Sequence, residues 1–302
     1  MNARRLTALF ALIAILALSL GACAQTATQT QPVGPVAVEI PVQPAAPATD
    51  IKVVAGDYLA SLPDNFNAIT KVEGLQELLD NASPLLIDVR EPSEFAEGHI
   101  PGSINIPLRS LTQHLDKIPT DTPVIMTCAS GLRASYATTA LRMLGYTNVR
   151  DFYPSFKGWT AADLPVSTDL VETVVVGAPD VDPVVLAEVE KFLVNMPEGY
   201  FGVTKVEKLQ EMMDAGNLTI IDVREPSEFA EGHIPGSVNI PVRTLMANLD
   251  QIPTDQTVVL TCASGLRCSL ATPALHMVGL TNVRAFTPSF KGWSAAGLEV
   301  VK

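Results

Sequence analysis

Cysteine is scarce in this chain. Four occur in 302 residues, Cys23, Cys128, Cys262 and Cys268, too few for a disulfide framework, and no two sit at Cys-x-x-Cys metal spacing. Cysteine therefore matters here as chemistry or not at all. Charge is thin as well, at 17% of residues against a usual share of about 25%. With 47% hydrophobic residues the chain has ample material for a core, which excludes wholesale disorder. The scarcer sign is positive: 20 Lys and Arg stand against 32 Asp and Glu, a net charge of -12, and an acidic surface of that size excludes nucleic acid as a partner. The uncharged apolar run from Leu6 to Leu20 is shorter than the roughly 20 residues a membrane-crossing helix needs.

What is there begins with a leader. Arg4 and Arg5 precede the apolar run, and Leu20-Gly21-Ala22-Cys23 closes it with small residues, the layout of a secretion signal. The last four residues resemble the lipobox of bacterial lipoproteins, which implies cleavage after residue 22 and lipid on Cys23. An exported protein anchored to a bacterial membrane, facing the periplasm or the cell exterior, is the resulting expectation. Residues 23–52 carry Pro32, Pro35, Pro41, Pro44 and Pro47 with no charge until Glu39, so they read as an extended tether.

Beyond the tether the chain repeats itself at a fixed offset of 134. Asp88 pairs with Asp222, His99 with His233, Cys128 with Cys262, Trp159 with Trp293, and Ile87–Ser103 equals Ile221–Ser237 over 17 positions. A period this long means duplicated domains rather than a solenoid. The expected layout is 1–22 signal peptide, 23–52 tether, 53–168 first domain, 169–188 connector and 189–302 second domain, the two domains acting independently.

Each copy alternates strands and helices. Thr70-Lys71-Val72-Glu73 has the spacing of a capping box, and Val72, Leu75, Leu78 and Leu79 then share one helical face. Buried-strand runs follow at Leu85–Val89 and Val124–Thr127, the latter leading into Cys128. The fold class predicted is α/β, two domains each with a parallel sheet flanked by helices. Cys128 and Cys262 then fall at a strand's carboxyl end, where open α/β sheets bind ligands.

The loops Cys128-Ala129-Ser130-Gly131-Leu132-Arg133 and Cys262-Ala263-Ser264-Gly265-Leu266-Arg267 each run from strand to helix. A thiolate there meets a helix N-terminus and unpaired backbone N–H groups, which bring a cysteine pKa from about 8.5 to roughly 3.5–7.5. Gly131 and Gly265 let the loop curl, and Arg133 and Arg267 add paired donors for an oxyanion. Together with Asp88-Val89-Arg90, Asp222-Val223-Arg224, the Gly-His-Ile-Pro-Gly segments at 98–102 and 232–236, and Gly158-Trp159 with Gly292-Trp293, these loops resemble the rhodanese (thiosulfate sulfurtransferase) family.

The resemblance implies a sulfurtransferase. Cys128 and Cys262 would be catalytic, accepting sulfane sulfur as persulfides from thiosulfate, polysulfide or a persulfide, and loop residues 129–133 and 263–267 would bind substrate. Thiol or cyanide would accept the sulfur, with no metal or organic cofactor. Small sulfur-containing anions, thiol acceptors and the membrane are the partners, and a monomer is expected. Cys-x4-Arg is the sulfurtransferase loop length, related phosphatases having one residue more. Many two-domain members lack the first cysteine, whereas this chain keeps both. Asp88, Arg90, Asp222 and Arg224 are read as ion pairs beside the loops. His99 and His233 are read as structural, Trp159 and Trp293 as packing residues, and His114 and His276 as surface residues. Cys268, which replaces Ala134 of copy one, has two open roles: resolving a persulfide or sulfenic acid on Cys262, or inert. A non-catalytic oxyanion- or protein-binding module and a thiol–disulfide relay through Cys262 and Cys268 are the competing readings.

Overall fold

The computed structural model describes residues 49–302; the segment read as a signal peptide, Cys23 and the part of the expected tether up to residue 48 lie outside the described residues. Copy one contributes strands β1 (Ala68–Ile69), β2 (Leu85–Asp88), β3 (Ile104–Asn105), β4 (Val124–Thr127) and β5 (Val149–Phe152), all parallel, in the order β1-β5-β4-β2-β3. Copy two repeats this with β6 (Gly202–Val203), β7 (Leu218–Asp222), β8 (Ser237–Asn239), β9 (Thr257–Thr261) and β10 (Val283–Phe286), in the order β6-β10-β9-β7-β8. The α/β class expected from the alternation of short apolar strands with helices is what the chain forms.

Strand alternation decides which way the cysteines face. In β4, Val124 and Met126 enter one core and Ile125 the other, so Cys128, next in the same parity as Met126, joins the first core. Val258 and Leu260 place Cys262 in that same core, while Val259 points to the opposite side of its sheet. The outer face of sheet one is covered by α2 (Val72–Ala82) and α5 (Ser155–Ala161) through Leu75 and Trp159. Leu75 is fully buried, with Val72, Leu78 and Leu79 beside it. The capping box expected at Thr70 does not form: Lys71 is the N-cap and makes no side-chain cap bond. Capping boxes form instead at Glu91 with Glu94, opening α3 (Pro92–Ala96), and at Glu225 with Glu228, opening α8 (Pro226–Glu231).

The first core is common to both copies, which revises the expectation of independent domains. Helices α4 (Leu132–Met143) and α9 (Leu266–Met277) follow the two cysteine loops and pack on each other. Every residue of α9 and all of α4 except Arg142 are buried. A helix buried all round needs cover on its far side as well, and here each supplies the other's. Thr139 Oγ1 donates to the Leu270 carbonyl across the seam at 3.0 Å. The entry helices are exchanged: α1 (Ile51–Ala60) packs on the 3-10 segment Val242–Gln251 of copy two, and α6 (Pro183–Val194) on the 3-10 segment Leu108–Lys117 of copy one. Helix α6 begins inside the span read as connector, with Asp182 capping Val184 N–H at 2.8 Å. Residues 49–302 accordingly fall within one compact unit.

His276 is another correction. It is 8% exposed rather than on the surface, its ring set against Phe201 at 4.0 Å and Phe192 at 5.7 Å, with Nε2 bonded to the Val283 carbonyl at 2.8 Å. Burial lowers its pKa from the ordinary value, so it packs as a neutral ring.

Candidate active site

In copy one the loop leaves β4 at Cys128 and turns at Gly131, whose φ of +102° precedes the first turn of α4. A Cβ at Gly131 would stand 2.6 Å from the Tyr153 carbonyl oxygen, so the turn requires glycine twice over. The Gly131 N–H donates to Cys128 Sγ at 3.1 Å. The N-terminus of α5 ties down the outside of the loop: Phe156 N–H donates to the Cys128 carbonyl and Lys157 N–H to the Ala129 carbonyl, both at 2.9 Å. In a trans peptide C=O and N–H point opposite ways, so these bonds turn the N–H groups of Ala129 and Ser130 away from α5. Among the described residues neither N–H has a hydrogen-bond acceptor. Copy two repeats the arrangement, with Gly265 N–H 3.1 Å from Cys262 Sγ and with Phe290 and Lys291 holding the Cys262 and Ala263 carbonyls at 3.0 Å.

Ser155 and Ser289 are functional-site residues that sequence reasoning missed. Each accepts the N–H of its copy's cysteine at 3.1 Å and lies 3.6 Å from the sulfur. Each also has a φ of +51°, an uncommon conformation for a non-glycine residue and a mark of imposed geometry. The signal in the sequence is the exact repeat of Pro-Ser-Phe-Lys-Gly-Trp at 154–159 and 288–293, which extends four residues ahead of the Gly-Trp ending.

Arg133 lies beside the cradle, but its fork is occupied by a carboxylate: Nη1 and Nη2 donate to Glu94 at 2.6 and 2.7 Å. Arg267 and Glu228 repeat the pair at the same distances. The paired donors expected to face a substrate oxyanion are thus already engaged, leaving the guanidinium's other N–H groups for a substrate. Burial opposes the Arg133 charge, and the Glu94 carboxylate together with the nearby Cys128 and Tyr200 more than offsets it, while the Arg133 hydrogen bonds hold Glu94 below the usual carboxylate range. Asp88 and Arg90 form a buried ion pair at 2.7 Å, and Arg90 also donates to the Gly98 carbonyl at 2.7 Å. Asp222 and Arg224 do likewise at 2.6 Å, with Gly232 at 2.8 Å. These pairs tie the strand end to the Gly-His-Ile-Pro-Gly segment. His99 is fully buried with Nδ1 3.0 Å from the Phe95 carbonyl oxygen and Nε2 3.1 Å from that of Asp169, and His233 Nδ1 lies 3.1 Å from that of Phe229. Trp159 and Trp293 each donate to a carbonyl six residues on, at 2.7 Å.

The exchanged segments reach each other's sites. Tyr200, from copy two, stacks on Arg133 at 5.1 Å, and Phe66, from copy one, on Arg267 at 5.3 Å. Tyr153, beside Gly131, donates its hydroxyl to the Ser264 carbonyl of the other loop at 3.1 Å. An open cleft of about 550 Å³ is lined by Ser130, Ser264, Tyr153 and Lys157.

Beneath the cradles the copies differ. Cys268, in the first turn of α9, is fully buried with its sulfur 4.0 Å from Cys262 Sγ, 3.0 Å from the Gly265 carbonyl and 3.7 Å from Ser289 Oγ. Burial raises the Cys262 pKa, but the Cys268 thiol and N–H, the Arg267 charge and the Ser289 hydroxyl outweigh it and bring the value to about 5. Cys268 is pushed well up, by burial first and then by Cys262. Copy one has Ala134 there and, on β5, the fully buried Asp151, hydrogen-bonded by Ser135, where copy two has Ala285.

The family described as rhodanese-like domain matches residues 71–162 and 205–296. The chain is similar to the uncharacterized protein YqhL of Bacillus subtilis, 46% identical over 74 residues, which is 24% of this chain and 59% of that protein. It is also similar to a sulfurtransferase of Allochromatium vinosum, 33% identical over 30% of this chain and 85% of that protein. The thiosulfate sulfurtransferase GlpE of Haemophilus influenzae is 30% identical over 34% of this chain and 97% of its own length. Among solved structures, SseA from Escherichia coli is 21% identical, with a TM-score of 0.37 over 74% of this chain and 98% of that one. Matched by the same family in both halves, over more than half of its length, the chain belongs to the rhodanese family and carries its domain twice.

Proposed function

We propose that the chain is a sulfurtransferase in which Cys128 and Cys262 each carry sulfane sulfur as a persulfide, taken from thiosulfate, polysulfide or a persulfide and passed to a thiol or cyanide. The observation that carries this reading is the N–H of Gly131 and of Gly265 held 3.1 Å from the cysteine sulfur in both copies, with the N–H groups of Ala129 and Ser130 turned away from α5 and, among the described residues, without acceptors beside the first. The thiolate attacks the outer sulfur of thiosulfate, sulfite departs with the electron pair of the broken S–S bond, and the persulfide anion takes up the free loop N–H groups. A thiol or cyanide then attacks the outer sulfur and restores the thiolate. The likeness to the Allochromatium sulfurtransferase and the Haemophilus thiosulfate sulfurtransferase supports sulfur transfer as the chemistry.

Mass spectrometry of the intact mature chain after thiosulfate treatment, with Cys268 changed to Ala so that no second thiol lies beside Cys262, tests the reading: two added sulfur atoms are expected, one lost with each further Cys→Ser change, and a chain that gains none sinks it. The same proposal places the protein outside the cytoplasmic membrane, held by lipid on Cys23, on the support of Arg4, Arg5, the apolar run and the Leu-Gly-Ala-Cys exit. Cys23→Ala is expected to release the protein into the soluble fraction at unchanged specific activity, and membrane retention equal to wild type refutes the anchor.

A further inference from the structure

Copy two holds a second thiol where copy one has a methyl group, and the proposed sulfur transfer gives that thiol no role. Cys268 Sγ lies 4.0 Å from Cys262 Sγ, and both residues are buried, at 0% and 1% exposure. The Phe286 carbonyl at 3.4 Å and the Ser289 hydroxyl at 3.7 Å wall in the Cys268 side, and protein interiors leave no room for an added sulfur atom in such a place. The outer sulfur of a persulfide on Cys262 must therefore point the other way, toward the loop N–H groups. The inner sulfur is then flanked by its outer sulfur on the cradle side and by the Cys268 thiol on the core side, the order a displacement at the inner sulfur needs. Closing 4.0 Å to a bond of about 2.05 Å requires the two side chains to rotate toward each other, with a small shift of the first turn of α9.

Resting on the persulfide reading above, we propose that copy two releases its sulfur as sulfide without an external acceptor. Cys268 attacks the inner sulfur of the Cys262 persulfide, a Cys262–Cys268 disulfide forms, and hydrosulfide leaves. The balance closes: persulfide anion plus thiol gives disulfide plus hydrosulfide, the Cys268 proton going to the departing sulfur. The sulfane sulfur is reduced to sulfide and the two cysteine sulfurs are oxidised, so no outside oxidant enters. A dithiol then reduces the disulfide by thiol–disulfide exchange and resets the site. Ionisation of Cys268 is opposed by burial and by the neighbouring Cys262 sulfur; moving the negative charge out to the persulfide's terminal sulfur weakens that second opposition at the moment of attack. Copy one has Ala134 at this position, so its persulfide waits for an external acceptor. The duplication thus yields one site that transfers sulfur and one that discharges it.

The test uses the mature chain in a Cys128→Ser background, treated with thiosulfate, freed of excess donor and kept without thiol. Free sulfide and intact mass are followed. The expected result is one equivalent of sulfide per chain and a protein two hydrogens lighter than its reduced form. The further change Cys268→Ala, which installs the residue copy one already tolerates, is expected to hold the added sulfur and release no sulfide. In the opposite direction, Ala134→Cys in a Cys262→Ser background is expected to confer release on copy one. Equal sulfide from the variants with and without Cys268, or a persulfide on Cys262 that persists with Cys268 present, overturns the proposal while leaving sulfur transfer intact. Failure of the Cys268→Ala variant to acquire sulfur at all overturns the persulfide reading, and the release step falls with it.

Discussion

Copy one and copy two have the same cradle above the sulfur and different floors below it. The loop glycine, the serine hydroxyl under the cysteine N–H and the Arg–Glu pair recur with distances equal to within 0.1 Å. Where copy one has Ala134, Asp151 and Tyr153, copy two has Cys268, Ala285 and Thr287. Groups that must touch the incoming anion are held alike, while those behind the cysteine have diverged. Capture of sulfur is the property the copies share, and its fate afterwards is where they part.

The largest effect comes from removing the nucleophiles. In a Cys268→Ala background, where copy two keeps its sulfur for an external acceptor, Cys128→Ser and Cys262→Ser are each expected to retain part of the thiosulfate-to-cyanide activity with ping-pong kinetics, and the double variant none, because a serine hydroxyl cannot hold a transferable sulfur. Complete loss from either single change would show that the shared core makes the sites obligate partners, and turnover in the double variant would remove cysteine from the mechanism. Next in size are Gly131→Ala and Gly265→Ala. Both glycines lie near φ +101°, and the new Cβ would meet the Tyr153 carbonyl oxygen at 2.6 Å in the first and run into the Thr287 carbonyl oxygen in the second. Each is expected to slow sulfur loading of its own copy by about 100-fold or more, as the loop N–H groups lose their convergence. Single-turnover loading with the other cysteine changed to serine checks this. Equal slowing of the untouched copy would show that the damage passes through the seam.

Much of the cradle is legible in the sequence because its parts are local: a strand, a cysteine, a glycine and a helix within ten residues carry their own geometry. The seam is less so. The α4 sequence has charge only at Arg133 and Arg142 and is otherwise Ala, Leu, Ser, Thr, Tyr and Met, and the missing polar face was the sign that this helix would be covered on its far side. Glu94 was hidden for another reason. As the N3 residue of a capping box its local purpose is complete with the Glu91 N–H at 3.0 Å, and nothing in the spacing announces that Arg133, 39 residues later, uses the same carboxylate. His276 was misread as a surface residue because it lacks a counterpart in copy one, yet its aromatic cover, Phe192 and Phe201, comes from a helix and a turn more than 70 positions earlier.

Asp151 gives copy one a response to pH that copy two, with Ala285 in its place, lacks. Burial pushes its carboxyl up to about 8 against an ordinary 3.8, the hydrogen bond from Ser135 only partly opposing this, and its Oδ1 has no hydrogen-bond partner among the described residues. The fold therefore favours the neutral acid. Its contribution to stability is fully present below about pH 4, falls as pH rises toward 8 and is flat above, the total change being on the order of several kcal/mol. Asp151→Asn removes that slope, so in denaturant melts the variant is expected to gain on wild type steadily from pH 4 to 8. Below pH 4 it should be no better, because the amide brings donors that need partners. A constant difference across the range would show that Asp151 is ionised in the folded chain.

The smallest expected effect tests how far the two loops are coupled. Tyr153 lies against Gly131 of its own copy and bonds to the Ser264 carbonyl of the other, whereas Thr287 occupies the equivalent position in copy two. The coupling is therefore one-sided: copy one's tyrosine braces copy two's loop through its hydroxyl and copy one's loop through its ring. Tyr153→Phe deletes the hydroxyl alone, and a hydrogen bond at a partly exposed position is worth about 0.5–1.5 kcal/mol. Sulfur loading at Cys262 is expected to slow by roughly 2- to 10-fold if that energy is spent on loop geometry in the transition state, while loading at Cys128 stays within error. Tyr153→Ala removes the ring as well and is expected to slow both copies. Sites with no shared partner act additively, so a Tyr153→Phe variant that leaves both loading rates unchanged would make the copies neighbours in one core but kinetically separate, and equal slowing at both would place the tyrosine's effect in the core rather than in the bond to Ser264.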